Sequence, residues 1–368
     1  MFKIGAGFNP CFLNPKEHPF HLSIPKCVSL LELGHEEFKL SKSVFPPFFK
    51  QALSLHIARS PIGEPKKAQD PYIEDLVHFL GENEDFLSVG FHLTGERHAN
   101  IGRYGFSSYY NPNDPALEER AIYFINTLQR RLGKTVWVEN TNFYSPLVQN
   151  PLLLWRSVER ICAKTGARVI FDLAHHMIDC QNSSIPPESL MGAVPWDCII
   201  EIHLSGVTIS KDGALHDGHN TRIPEQEWKL LDMALLSFVK DPSEIYVTLE
   251  HTDLDWRHDK EGFYADFERL RRVQKKCTRV PETIYAPFQD RYAKSRLKIL
   301  LLRRMSDLCN FSDENDIDLN CVIDEWLLSL SLKQGERLVM SAREEEEGAF
   351  HAHKLFRDFF ASRYGKCA

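Results

Sequence analysis

Imidazole and carboxylate side chains stand at the ends of six consecutive apolar runs of this sequence. One such residue alone usually has a structural role, as a hydrogen-bonded histidine or as the cap of the next helix. Six in succession indicate more, because buried ionisable groups are costly unless cations or other charges pair with them. With two residues of a DGH turn included, the candidate ligands are His56, His92, Glu139, Asp172, His175, His203, Asp217, His219 and Glu250.

The types of these residues narrow the chemistry. Imidazole and carboxylate ligands without thiolate are typical of iron, zinc or manganese centres, and differ from the Cys-rich sets of structural zinc sites. Nine such groups exceed the needs of one ion. The sequence therefore predicts a site for more than one metal.

The apolar runs themselves predict the architecture that positions these side chains. Up to about residue 285, short β-rich runs alternate with segments of helical periodicity. Strands that are apolar on both faces and alternate with helices indicate a parallel sheet, and eight of them favour a (β/α)8 TIM barrel. A doubly wound open sheet is the alternative. The eight runs cover residues 3–8, 29–35, 52–58, 88–94, 136–141, 168–175, 198–205 and 245–252.

Four helical segments lie between these runs and a fifth follows the last run, and several begin with Pro in the first turn, a common start signal. They cover residues 71–81, 115–133, 151–166, 224–239 and 260–277. In a TIM barrel the C-terminal ends of all strands surround one opening. Ligands spread from residue 56 to residue 250 would therefore meet there.

Beyond residue 285 the pattern changes to helical segments only, at residues 291–309, 318–332 and 345–365. We therefore expect two parts: a metal-binding catalytic barrel domain over residues 1–285 and a C-terminal helical extension over residues 286–368.

The composition argues against several classes of function. The 368 residues include 44 Lys and Arg against 51 Asp and Glu, a formal net charge of −7, whereas proteins that neutralise phosphates usually show a basic excess. No apolar signal segment or membrane-length apolar run is visible. Nine cysteines without a CxxC pair fit reduced thiols. We expect a cytoplasmic protein with no nucleic-acid or membrane partner.

Seven stretches within residues 29–253 carry a family resemblance. In chain order they are ALSLHIARSPIG, GFHLTGERH, VENTNFYSP, FDLAHHMIDCQN, EIHLSG, HDGHNTRIPEQEWKLL and LEHTD. Together they resemble the multinuclear non-heme iron-dependent oxidative enzymes of the MbnB and TglH type. The most specific part is EIHLSG, followed by DGH and then by Pro and Trp. His175 departs from the family, which often has Asn at this position.

The resemblance implies a xylose-isomerase-like barrel and an iron centre. It implies two or three iron ions of mixed ferrous and ferric state, with O2 as co-substrate. Glu139, His203 and Glu250 are the expected catalytic residues, and the pair of ions that shares Glu139 would face the substrate. The implied ligand sets are His56, His92 and Glu139; Glu139, Asp172, His203 and Glu250; and His175, Asp217 and His219. His98, Asn140, Asn142 and Tyr144 are candidates for orienting ligands or contacting substrate, and ordinary loop positions are the alternative for each.

The same resemblance implies an activity and partners. Members oxidatively modify a cysteine of a ribosomally synthesised precursor peptide, which a small partner protein presents, so a heterodimer is expected. TglH-like members excise the β-carbon of a C-terminal Cys in the biosynthesis of 3-thiaglutamate-type natural products, and this chain resembles them. MbnB-like members form an oxazolone and a thioamide instead.

Three other functions use part of the same pattern. A trinuclear zinc phosphodiesterase of the endonuclease IV type has the same ligand types, but a DNA enzyme should show a basic surface. A sugar isomerase normally needs two metals and would leave several ligands unused. A non-enzymatic metal-binding scaffold would use the helical extension to bind a partner.

Overall fold

Eight parallel strands close into a barrel in the computed structural model. The structure describes residues 1–12, 21–34, 51–83, 85–96, 110–142, 151–209, 211, 213–277, 322–323, 326 and 356–357. Seven barrel strands come first, namely β1 (Lys3–Gly7), β2 (Val28–Leu33), β3 (Ala52–Ile57), β4 (Phe86–His92), β5 (Val136–Glu139), β6 (Arg168–Asp172) and β7 (Ile199–Leu204). An antiparallel hairpin of β8 (Val207–Ile209) and β9 (Leu215–Asp217) follows, and then the last barrel strand, β10 (Tyr246–Leu249).

Every barrel strand lies beside its predecessor in the barrel, and β10 closes the ring by pairing with β1. This topology confirms the predicted (β/α)8 TIM barrel, and the doubly wound alternative is wrong. The helices are α1 (Lys66–Gly81), α2 (Pro115–Leu132), α3 (Pro151–Thr165), α4 (Leu173–Asn182), α5 (Pro187–Leu190), α6 (Glu225–Ser237) and α7 (Lys260–Lys276).

Helix α1 begins five residues before the predicted start at Pro71. Proline favours the first turn of a helix, which is why the sequence pointed to that residue. The true first turn is polar and has no apolar periodicity. It is held by the buried side chain of Gln69, which donates to the carbonyl of Ile62 at 2.8 Å.

The predicted strand over residues 168–175 is wrong beyond Asp172. There the Oδ1 atom of Asp172 accepts a hydrogen bond from the backbone N–H of His175 at 2.5 Å and caps α4. Because the cap starts the helix directly after the strand, His175 lies in the first helical turn.

Alternation along the strands separates an apolar floor from a polar layer above it. Leu30, Trp137, Ile170 and Tyr246 form a buried cluster inside the barrel. Successive side chains of a strand point to opposite faces, so residues two positions further along return to the interior. Those positions hold Glu32, Glu139, Asp172 and Thr248. The polar groups therefore sit on a closed apolar base.

The chain divides into two compact units. The first consists of Met1–Pro187, Pro195–Leu235 and Val239–Val280, and the second of Glu188–Val194, Leu236–Phe238 and Pro281–Ala368. The expected helix over residues 291–309 lies outside the described residues. In the other two expected C-terminal helices, Trp326 and Phe356 are buried and helical, and their rings pack edge to face with centroids 5.5 Å apart. The boundary at residue 285 stays a prediction.

In the part of the chain that the structure describes, no helix combines the length and the hydropathy needed to cross a membrane.

Candidate metal centre

The structure brings all nine predicted side chains into one connected cluster at the C-terminal opening of the barrel. Each touches at least one other member at ion-pair distance. Strands β3, β4, β5, β6 and β7 all run toward this opening. Each of them carries one residue of the cluster at its last or second-last position. The β8–β9 hairpin adds Asp217 at its last residue.

Glu139 lies at the centre of the cluster and is fully buried. One of its oxygens, Oε2, is 2.5 Å from Nε2 of His56 and 3.2 Å from Nε2 of His92. The other, Oε1, is 3.2 Å from Nδ1 of His175. This carboxylate therefore faces imidazoles from three elements, which is the geometry of a bridging ligand.

His203 connects Glu139 to two further carboxylates. Its Nδ1 atom lies 3.4 Å from Oε1 of Glu250, 3.9 Å from Oε1 of Glu139 and 4.0 Å from Oδ2 of Asp172. His203 and Asp172 face each other because they are register partners on the neighbouring strands β6 and β7. These four residues are the second ligand set that the family resemblance implies.

His175, Asp217 and His219 form a third group beside the hairpin. The Oδ2 atom of Asp217 lies 3.2 Å from Nε2 of His175 and 2.5 Å from Nε2 of His219. Nδ1 of His175 lies 2.7 Å from the carbonyl oxygen of Asn140. Because a carbonyl oxygen only accepts, Nδ1 donates this hydrogen bond, and Nε2 is the nitrogen that faces Asp217.

His219 holds its place at a conformational cost. Its φ of 51° lies in the left-handed region, which is unfavourable for a residue with a side chain. Two contacts hold it there: its carbonyl accepts the indole N–H of Trp256 at 2.7 Å, and its Nδ1 lies 3.1 Å from Oγ1 of Thr252. Strained residues of this kind concentrate at functional sites.

The structure adds a residue that the sequence did not single out, Glu32 on β2. It is buried, and its Oε2 lies 3.4 Å from Nδ1 of His56 and 3.3 Å from Nε2 of His203. Glu32 is the second-last residue of β2, as His56 is of β3 and His203 of β7, but the predicted run extended to residue 35 and placed Glu32 in its middle. The available signal was an acid at an inward-facing position of an otherwise apolar strand.

The imidazoles attract protons strongly, because carboxylates outnumber other charges around them. Burial lowers the pKa of His56, but Glu32 and Glu139 outweigh it and hold the pKa well above its ordinary value. Against the same effect of burial, Glu32 and Glu250 raise the pKa of His203 well above normal, and Asp217 and Glu250 raise that of His219 to about 9. At His92 burial prevails and the pKa is lowered.

The carboxylates of the cluster differ in the direction in which their pKa values are shifted. Burial, with the neighbouring Glu139 and Glu250, raises the pKa of Asp172 to about 7 although His175 opposes it. Burial also raises that of Glu139, but His92 and His56 prevail and bring it well below normal. The site as a whole favours added positive charge, which a proton or a metal ion supplies.

The donor atoms fit metal ions on two independent observations. Eight buried atoms of the cluster lie close to one another without forming a hydrogen bond of good geometry: both carboxylate oxygens of Glu32 and of Glu139, Oδ2 of Asp172, Nε2 of His56 and both ring nitrogens of His203. Native proteins rarely leave so many buried polar atoms unsatisfied. Two ligands about 2.1 Å from one ion lie about 3–4 Å apart, and most of the distances given above fall in this range.

Three groups among the described residues have donor atoms within 4.8 Å of one another. They are His56, His92 and Glu139; Glu139, Asp172 and His175; and Glu32, His56, His203 and Glu250. The first group coincides with a ligand set that the resemblance implies. The assignment of individual ligands stays a prediction.

The cluster is open along one edge. The side chains of His56, His92 and His219 are 12%, 13% and 26% exposed, whereas Glu139 and His203 are fully buried. Asn140 accepts the N–H of Asp172 at 2.9 Å and donates to its carbonyl at 3.0 Å, which ties β5 to β6. Asn142 is partly buried, and His98 and Tyr144 lie outside the described residues.

Comparison with known proteins confirms the resemblance. Residues 111–252 match the family described as the RiPP precursor modification enzymes MbnB/TglH/ChrH, where RiPP denotes a ribosomally synthesised and post-translationally modified peptide. Over these residues the chain is similar to that family, to which its UPF0276 relatives also belong. The matched region holds seven of the nine predicted residues, and only His56 and His92 lie outside it.

Curated relatives are distant and cover part of the chain. A UPF0276 protein of Caulobacter vibrioides is 25% identical over 185 residues, which are 50% of this chain and 64% of the relative. Another from Caulobacter sp. strain K31 is 30% identical over 121 residues, 32% of this chain and 44% of the relative. The chain thus spans less than two thirds of the length of these relatives.

Solved structures share the fold. The IOLI protein, solved with a bound zinc atom, superposes with a TM-score of 0.50 at 10% identity and covers 69% of this chain and 91% of its own. An L-ribulose 3-epimerase has a TM-score of 0.45 at 12% identity over 77% of this chain. At these identities the likeness concerns the barrel alone.

Proposed function

We propose that this chain is an iron- and O2-dependent oxidoreductase that modifies a cysteine of a ribosomally synthesised precursor peptide. The observation that carries the proposal is the cluster of buried, unpartnered imidazole and carboxylate atoms around Glu139. The family match over residues 111–252 supports the peptide substrate. Within the family, the TglH-like reaction on a C-terminal Cys is the one we propose.

His56, His92 and Glu139 would hold one iron ion, and Glu139, Asp172, His203 and Glu250 a second. Bound iron supplies a Lewis acid for the peptide thiolate and a redox partner for O2. The chain itself would orient these ligands, since the two oxygens of Glu139 face imidazoles on opposite sides of the carboxylate and the fully buried His203 excludes water from the inner side.

The peptide would approach along the open edge. His56 and His92 are the proposed ligands that solvent reaches, and their ring centroids lie 4.9 Å apart. A peptide thiolate would therefore approach the centre on the side of these two rings. The deeper members, His203 and Asp172, are closed to it.

The test is O2 consumption by anaerobically purified, iron-loaded protein with a Cys-ended precursor peptide and its presenting partner protein. We expect peptide-dependent O2 uptake and a mass change at the cysteine. Glu139→Gln should abolish both, whereas Glu118→Gln, a buried carboxylate on α2, should keep them. Iron-loaded protein that leaves peptide and O2 unchanged would contradict the proposal.

The same preparation distinguishes the other functions. Cleavage of abasic duplex DNA by the zinc-loaded protein would favour the phosphodiesterase, and interconversion of a sugar would favour an isomerase. The helical extension, proposed over residues 286–368, is tested by deleting it and measuring affinity for the presenting protein. Unchanged affinity would exclude docking by this segment.

A further inference from the structure

We infer that Glu32 is a positioning residue that determines which nitrogen His56 and His203 offer to the metal ions. The inference rests on the proposed metal centre, and goes beyond it by assigning a role to a residue outside all three implied ligand sets.

Glu32 lies beside one nitrogen of each ring. Its Oε2 lies 3.4 Å from Nδ1 of His56 and 3.3 Å from Nε2 of His203. The opposite nitrogens point to the other carboxylates, since Nε2 of His56 is 2.5 Å from Glu139 and Nδ1 of His203 is 3.4 Å from Glu250. One oxygen thus stands behind two ligands that the resemblance assigns to different ions.

The position of the proton on a neutral imidazole explains how Glu32 could select the nitrogen that binds metal. A neutral imidazole that binds a cation through one nitrogen carries its proton on the other, and a buried N–H needs an acceptor. An ionised carboxylate only accepts. With Glu32 in place, His56 would carry its proton on Nδ1 and His203 on Nε2, so that Nε2 of His56 and Nδ1 of His203 remain for metal.

The position of Glu32 in the barrel supports this role over that of a ligand. Glu32 pairs in register with Ser54 of β3, two residues before His56, so its backbone lies one layer deeper than that of His56. It is 3% exposed and lies near the apolar floor. Support from below leaves the ring nitrogens on the Glu139 side free to bind.

The neighbouring Glu201 does not replace it. Its Oε1 is 3.4 Å from Nε2 of His203, but this same oxygen accepts the hydroxyl of Thr248, and no contact joins Glu201 to His56 among the described interactions. Glu250 also lies near Nδ1 of His56, at 3.7 Å, but it faces the other nitrogen of His203. Among the described contacts, Glu32 is the carboxylate that lies beside both Nδ1 of His56 and Nε2 of His203.

The experiment uses the full chain and zinc alone as the probe. Zinc affinity is measured by competition with a chelator for the wild type, Glu32→Gln, Glu32→Ala and the control Glu118→Gln. We expect two of the bound ions to lose affinity together, by about 10–100-fold, as for other groups that orient metal ligands. The ion at His175, Asp217 and His219 should be unaffected. Gln, which keeps a neutral acceptor oxygen, should have a smaller effect than Ala.

Nitrogen-15 NMR of labelled histidine rings provides a second measurement, which a change in folding stability alone would not affect. In the zinc-loaded wild type, His56 should be protonated on Nδ1 and His203 on Nε2, and Glu32→Ala should shift both N–H signals. Unchanged zinc affinity, the loss of a single ion, or the opposite protonation of either ring would overturn the inference.

The outcome also separates this inference from the proposed function. Zinc affinity that depends on Glu32, in a protein that oxidises no peptide, would uphold the role of Glu32 and contradict the proposed reaction. A wild-type chain that takes up no divalent cation would overturn both.

Discussion

At the scale of single residues, Asp172 combines two tasks that are usually separate. Its Oδ1 caps α4 through the N–H of His175, and its Oδ2 is buried without a hydrogen-bond partner and faces His203. The strand end that carries one proposed ligand is therefore also the helix start that places another, His175.

The two tasks can be separated by substitution. Asn caps a helix as well as Asp does, but it lacks the negative charge. We expect Asp172→Asn and Asp172→Ala both to lose bound metal, and only Ala to lose the cap, so that metal-free Ala protein is less stable than Asn protein by about 1 kcal/mol. Urea unfolding in the presence of a chelator measures this difference. Equal stabilities would contradict the capping role.

The sequence revealed these residues only where strand position made them visible. His56, His92, Glu139 and His203 are each the last or nearly the last residue of an apolar run, so convergence at the opening followed from the barrel. Glu32 is not visible in this way because the apolar run predicted for β2 extends to residue 35, beyond the end of the strand at Leu33. His175 was placed on a strand because its helical position depends on one side-chain hydrogen bond of Asp172.

At the scale of elements, the close approach of strands β1 and β10 depends on a glycine, which has no side chain. Gly5 on β1 is the register partner of Thr248 on β10, and a Cβ added to Gly5 would lie 2.1 Å from Oγ1 of Thr248. The Thr248 hydroxyl donates to Glu201, below His203.

Substitution of Gly5 should therefore disturb the barrel. We expect Gly5→Ala to destabilise the protein by about 1–3 kcal/mol through overpacking. Gly81→Ala, at the end of α1 where an added Cβ meets nothing within 4 Å, is the matched control and should be neutral or slightly stabilising. Thermal unfolding of the two variants decides the matter, and equal effects would contradict the packing argument.

Helices α2 and α3 are joined by a buried acid. Glu118 on α2 accepts from the hydroxyl of Ser157 at 3.0 Å and from the guanidinium of Arg160 at 2.7 Å, both on α3. Burial raises the pKa of Glu118, but these two partners outweigh it and the pKa is lowered.

This contact predicts a pH-dependent stability. A carboxyl group whose pKa is lower in the folded state stabilises the fold above its unfolded pKa of about 4.3, and that contribution is lost as the pH falls through the folded pKa. We expect Glu118→Gln to cost about 1–3 kcal/mol at pH 7 and progressively less below pH ~4.3. Urea unfolding at several pH values measures the difference, and a difference independent of pH would contradict it.

The elements were more predictable than their boundaries. Four of the five predicted helices agree with the structure within two residues, because apolar periodicity and terminal Pro and Gly mark them. The β8–β9 hairpin was not predicted, since strands of three residues carry too little pattern. Yet this hairpin presents Asp217, so one ligand position depends on structure that local sequence does not show.

At the scale of the whole molecule, metal and fold should stabilise each other. Without cations, burial of five carboxylates and five imidazoles around one opening is costly. Ligands that bind only the folded state stabilise it, by about 4 kcal/mol at a free concentration 1,000 times the Kd. We expect a chelator to lower the Tm by several degrees and added Fe(II) or Zn(II) to restore it. A Tm independent of metal would contradict this coupling.

The most direct test of the account is the metal content of wild-type protein purified without oxygen. Element analysis with a parallel protein determination gives the number of transition ions per chain. The account predicts two or three, and fewer in Glu139→Gln. A correctly folded wild-type chain that holds no transition ion, even after incubation with Fe(II) or Zn(II), would contradict the claim that cations hold these side chains together.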